Sequence, residues 1–192
     1  MSIKGLAICL TTSILALAAA GPASGGNSND RDQSKGHKPH SGDLVKTVRE
    51  ATWRYRDVNQ AEADGYQLLF GCVSGPDDGA MGLHYVNMTL VGDGVLDPRR
   101  PEIVIYEPLP NGGRQLVGAD FLVLADAWHA KNAAPPQIMG QLLHLFEAPN
   151  RFGLPPFYTL HVWAWKESPT GAFVNWHKNI SCDAFGGEGS VR

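Results

Sequence analysis

Tyr158-Thr159-Leu160-His161-Val162-Trp163-Ala164-Trp165 reads YTLHVWAW, an alternation that marks a strand. Successive side chains of a strand point to opposite faces, so His161, Trp163 and Trp165 share one side. β-branched and aromatic residues in period-two alternation mark a half-buried strand. A histidine between apolar neighbours on an inward face predicts a lined interior rather than a solvated surface.

The same period recurs outward along the chain. Strands are expected at Tyr66–Val73, Gly82–Leu90, Glu102–Glu107, Gln115–Val123, Gln141–Phe146, Phe157–Trp165 and Ala172–Lys178. Turn residues punctuate them, among them Gly75-Pro76-Asp77-Asp78-Gly79, Asp93-Gly94, Pro110-Asn111-Gly112-Gly113 and Gly153-Leu154-Pro155-Pro156. Before the strands, Leu44, Val45, Val48, Ala51, Thr52 and Tyr55 recur at helical spacing. A second short helix is expected from Asn59 and Glu62 as a capping box, with Gly65 as its stop. The expected fold class is therefore α+β and mainly β, with one or two short N-terminal helices packed on a curled antiparallel sheet or small barrel.

Composition bounds the rest. The chain has 192 residues, 43% hydrophobic and 18% charged, enough for one ordinary core. A net charge of -3 with no basic run argues against nucleic acid as a partner. Met1–Lys4, the apolar Gly5–Ala20 and the small residues Ala18-Ala19-Ala20 read as a signal peptide over residues 1–20. The apolar segment is broken by Thr11, Thr12 and Ser13 and is shorter than the roughly 20 residues that span a bilayer. No stable membrane anchor is expected after cleavage. Residues 21–42 read as a disordered linker, and its His37 and His40 lack a fixed frame for a metal. A single globular domain is expected over 43–192, in a secreted or periplasmic protein.

Export gives the cysteines meaning. Cys9 leaves with the signal, so Cys72 and Cys182 form an even pair in an oxidising compartment, and a disulfide is expected. It would be worth about 4–5 kcal/mol in the chain-entropy model. The alternative is two free thiols, or a metal site that uses one of them.

Comparing strand faces yields the candidate chemistry. His84 falls in line with Val86 and Met88, Glu107 with Ile103 and Ile105, His144 with Leu142 and Phe146, and His161 with the tryptophans. Three imidazoles and a carboxylate suit one divalent transition metal (Zn, Cu, Fe or Mn), and separate strands of a stiff sheet can hold them if it closes on itself. Asp120 and Tyr106 are expected to orient an imidazole through its second nitrogen. Taken singly, each histidine also fits a core residue bonded to a carbonyl. Burying three of them and a glutamate without joint purpose would be costly, which favours a shared site. His177 is a weaker fifth member, His129 reads as a loop residue, and the sequons at Asn87 and Asn179 read as chance matches.

ATWRYRDVNQAEADGY, MGLHYVN, IVIYEP, LVGADF and FYTLHVWAWKESPTGAFVNWHKNISC, between Ala51 and Cys182, resemble a family of uncharacterised secreted bacterial proteins. The resemblance implies an exported single domain and no particular reaction. In the family pattern asparagine and proline stand where this chain has His177 and Lys178, which weighs against His177 as a ligand.

Three classes of function fit these features. One is a metal-binding β-barrel, with a metal-dependent enzyme acting on a small molecule among its forms. A second is a non-catalytic pocket in which Met88, Trp163 and Trp165 bind an apolar or aromatic ligand. The third is a structural secreted protein with core histidines. The sequence holds no serine nucleophile elbow, phosphate loop or C-x-x-C, and nothing in the pattern sets an oligomeric state.

Overall fold

Leu44 and Val48 stand one helical turn apart, and burying both completely fixes the seat of helix α1 (Ser41–Thr52). The computed structural model describes residues 41–75 and 77–186; the expected signal peptide and the linker up to residue 40 lie outside them. Helix α1 therefore takes in the last two residues expected in the linker. The chain tightens into a 3-10 turn at Trp53–Arg56 and enters helix α2 (Val58–Ala63). Asp57 caps α2 by accepting from the Asn59 backbone N–H, so the cap stands two residues before the expected Asn59.

The strands are β1 (Gln67–Gly75), β2 (Gly79–Val86), β3 (Ile103–Pro108) and β4 (Arg114–Leu124), then the short β5 (Gln137–Ile138), β6 (Gln141–Leu142), β7 (His144–Phe146) and β8 (Phe157–Val162). Six of them form one antiparallel sheet in the order β1-β2-β3-β4-β8-β7, while β5 and β6 pair separately. The sheet curls into a half-barrel, so the expected class, α+β and mainly β, is the observed one. Bulges in β1 and β4 interrupt the register, each adding local twist. Two glycines permit the close approach: a Cβ on Gly82 would stand 2.6 Å from the Tyr106 carbonyl, and one on Gly118 would stand 2.6 Å from that of Val162.

Both faces of the central strands are buried. Phe121, Val123, Leu160 and Val162 pack toward Leu44 and Val48 of α1. Leu83, Tyr85, Val104 and Tyr106 form a cluster with Tyr55, Ala61 and Tyr66. The alternate residues Val86, Ile103, Ile105, Leu122 and Phe157 line the opposite face. Burial of each large apolar side chain contributes about 1.5–3 kcal/mol, so the sheet is clamped from two sides.

Several boundaries differ from expectation, each for a local reason. The strand expected over Gly82–Leu90 stops at Val86 because the Asn87 side chain accepts from the N–H groups of Thr89 and Leu90 and starts helix α3 (Met88–Asp93). The stretch Gln141–Phe146 is split at Leu143 into β6 and β7. Strand β8 ends at Val162 because the Trp163 N–H turns away to the Ala172 carbonyl. Ala172–Lys178 forms no strand and contributes one bridge, His177 to Ala80. His129 closes a short helix α4 (Ala125–His129) rather than lying in a loop.

Cys72 of β1 and Cys182 are joined by a disulfide with a Cα–Cα distance of 5.7 Å, which fits an oxidising compartment. Among the described residues no helix is long and apolar enough to cross a membrane.

Candidate functional site

The curl brings three polar side chains together on the inner face: His84 from β2, Asp120 from β4 and His161 from β8. Asp120 and His161 are direct cross-strand partners. His84 lies across β3 from Asp120, and only the curvature of the sheet carries its ring to His161. All three are 3% exposed. One donor atom from each lies within 4.8 Å of the other two.

Hydrogen bonds set the orientation of each group. The Nδ1 of His84 is 3.1 Å from the Gly82 carbonyl. A carbonyl only accepts, so Nδ1 carries the proton and Nε2 presents a lone pair inward. That Nε2 stands 3.4 Å from the Nε2 of His161. The Asp120 Oδ1 accepts from the Thr159 hydroxyl at 2.6 Å and from the Leu160 N–H at 3.1 Å, which pins the carboxylate. The Nδ1 of His161 is buried, makes no close hydrogen bond among the described residues, and is 3.7 Å from Asp120 Oδ1, with the Asn175 side chain a further polar neighbour of the ring.

These distances leave a conflict in either neutral tautomer of His161. With its proton on Nε2, the ring donates to His84 and turns a bare Nδ1 toward the carboxylate. With the proton on Nδ1, the ring suits the carboxylate but sets two Nε2 lone pairs against each other. A cation between the two Nε2 atoms removes the conflict in the second tautomer. Two nitrogens each about 2.0–2.1 Å from a tetrahedral ion stand about 3.3–3.4 Å apart, and the observed separation is 3.4 Å.

Electrostatics favour the same state. Burial holds the imidazole of His84 down to about 4 and that of His161 to about 3, so both rings are neutral ligands at neutral pH. Burial raises the Asp120 carboxyl to about 6, opposed by its hydrogen bond from Thr159. A nearby cation would return it to the ionised form.

The three groups meet a small cavity of about 20 Å³, room for one or two waters given the about 10–15 Å³ that each requires. Half of its apolar wall is aromatic, Phe70, Phe146, Phe152 and Phe157, and the rest is Met81, Ile103, Leu122 and Leu154. Phe70 sits in the β1 bulge with a φ of 66°, a conformation uncommon for a bulky residue. Phe152 is carried by the loop before β8. There Asn150 accepts from the Phe152 and Leu154 N–H groups and donates to the Glu147 and Leu154 carbonyls.

Of the residues singled out by sequence, His84, His161 and Asp120 come together. Glu107 does not join them: near the end of β3 its carboxylate is 2.7 Å from the Lys166 ammonium and accepts from the Ser181 N–H. His144 stands on an exposed position of β7, opposite Thr159, beside a cleft shared with Trp176 and Lys178. Tyr106 points to the other face of the sheet, where its hydroxyl donates to the Tyr55 carbonyl at 2.6 Å. Met88, Trp163 and Trp165 do not form one pocket. Met88 is 55% exposed, Trp163 donates to the Val174 carbonyl, and Trp165 donates to Thr52 beneath α1.

His177 is fully buried against the Trp163 ring and accepts from the Asn179 N–H, a core histidine at a turn. Thr159 and the phenylalanine wall were not singled out by sequence. Strand alternation in YTLHV would have placed Thr159 beside His161, whereas no local signal ties Phe70 and Phe152 to the site. Comparison with family models, with curated proteins and with solved structures found no match.

Proposed function

We propose that this protein is an exported metal-binding half-barrel, with one divalent transition ion held between the Nε2 atoms of His84 and His161. Asp120, fixed by Thr159, supplies the balancing negative charge beside them. The observation that carries the reading is the opposed pair of buried imidazole nitrogens at 3.4 Å, together with the Nδ1 of His161, which makes no close hydrogen bond among the described residues. An ion held by two imidazoles keeps coordination positions open toward the cavity, as Lewis-acid or redox chemistry on a small molecule requires. Imidazole with carboxylate suits Zn, Cu, Fe or Mn, and the choice among them belongs to experiment.

The test is elemental analysis of the mature, untagged protein after exposure to each of the four metals and exhaustive dialysis. Near one equivalent of one metal is expected in the wild type, and in both His84→Ala and His161→Ala that equivalent is lost while near-native circular dichroism persists. His144→Ala and Glu107→Gln keep it. Metal retained in His84→Ala and His161→Ala would sink the assignment.

A further inference from the structure

Deepening the metal reading and resting on it, we infer that the ligand exchanged at this centre is a monoanion of one to three heavy atoms, selected by an aromatic mouth formed by Phe70, Phe152 and Phe157. Three observations lead there.

The first is size. A cavity of about 20 Å³ takes one or two waters and excludes a five-membered ring unless the wall moves. Phe70 meets Phe152 edge-on at 5.3 Å, and Phe152 meets Phe157 edge-on at 6.0 Å. Phe157 in turn stacks on Phe146 at 5.2 Å, so the rings form a continuous chain along the wall. Close-packed rings of this kind yield to a guest only at the cost of their own contacts.

The second is charge. A divalent ion beside one carboxylate carries a net single positive charge. The remaining cavity wall is apolar apart from Thr159, whose hydroxyl is already given to Asp120. An unbalanced charge in such surroundings is expensive, and one bound monoanion cancels it. Water-derived hydroxide meets that need, as does any small anion of similar size. A dianion or a bulky neutral molecule does not.

The third is the way the mouth is held. Phe70 occupies a left-handed conformation, with a φ of 66°, that a bulky non-glycine residue adopts only where its surroundings impose it. That conformation is maintained at the point of β1 where the ring reaches the cavity. On the opposite side Asn150 folds the loop back on itself so that Phe152 faces Phe70. Two independent backbone devices thus place two rings that meet each other in the wall of the cavity the histidines also line.

The experiment uses the full mature chain loaded with Co(II), its metal content measured first, and follows the visible spectrum during titration with azide and, separately, with imidazole. In the wild type azide shifts the cobalt bands and imidazole at the same concentrations leaves them unchanged. In Phe152→Ala both ligands shift them. Phe70→Gly, which removes the other ring and suits the positive φ, gives the same result should the first variant fold poorly. A protein that takes up no cobalt overturns the metal reading and this inference together. A loaded wild type that accepts imidazole as readily as azide, or accepts neither, overturns the inference alone. So does a loaded, folded Phe152→Ala or Phe70→Gly that still refuses imidazole.

Discussion

Replacing Glu102 by glutamine isolates one buried carboxyl and gives the fold a pH signature. Glu102 is 1% exposed, and its Oε2 accepts the Leu122 N–H at 3.1 Å, tying the residue just before β3 to β4. Burial pushes its carboxyl up to about 8 from an ordinary 4.5, with the Leu122 hydrogen bond opposing the shift. The folded state therefore holds a proton that the unfolded chain releases. Stability associated with that proton is complete below pH 4.5 and is lost as pH rises to about 8. The difference of about 3.5 pH units, at about 1.4 kcal/mol each, corresponds to a loss of about 4–5 kcal/mol across that window. Glu102→Gln keeps an acceptor for the Leu122 N–H and cannot ionise. Urea unfolding of both proteins, with the disulfide oxidised, should show similar stability near pH 5 and a variant more stable by several kcal/mol near pH 9. A stability difference that stays constant from pH 5 to pH 9 would refute the assignment of a proton to this group.

Three further outcomes follow from the same structure. Reduction or Cys72→Ala should lower unfolding free energy by about 4–5 kcal/mol in the chain-entropy model, read by denaturant melts, since the bridge closes a loop with a sequence separation of 110. In the metal-free protein His84 and His161 should contribute a loss of stability as pH falls from the ordinary histidine value of 6.5 toward about 4, because they stay neutral in the fold while the unfolded chain takes up protons, whereas Glu102 and Asp120, held above their ordinary values, contribute in the opposite sense. Thermal melts between pH 7 and pH 4 of the wild type beside His84→Gln check the sign, the wild type losing more stability to acid than the variant. Asp120→Asn should weaken metal binding about 10- to 100-fold, measured by competition with a chelator, while the Thr159 hydroxyl still finds an acceptor.

The sheet was legible because its strands carry the period-two pattern on both faces, and YTLHV stood out most clearly. What alternation could not report was curvature, which arises from backbone events: the bulge at Phe70-Gly71, the register shift in β4 and the close approaches at Gly82 and Gly118. Curvature decides the site. In a flat sheet His84 and His161 would lie three strands apart, and the curl puts their rings in contact. Glu107, near the end of β3, pairs with Lys166 from the segment after β8, a partner that alternation from Ile105 could not foresee. His144 failed differently: its strand has three residues at the sheet edge, so an inward position there is still open to solvent. Asp120 was visible as a carboxylate inside the apolar run LVGADFLVL, and its neighbours show why it persists there, with a hydroxyl and a backbone N–H fixing one oxygen.

Whether the His84–His161 pair holds a metal ion can be seen by anomalous diffraction from crystals of the protein grown with the metal it retains in solution. One anomalous peak is expected at that metal's absorption edge, between the two Nε2 atoms and beside Asp120. A peak at His144 or Glu107, or none at the pair in crystals whose protein carries the metal in solution, would contradict it.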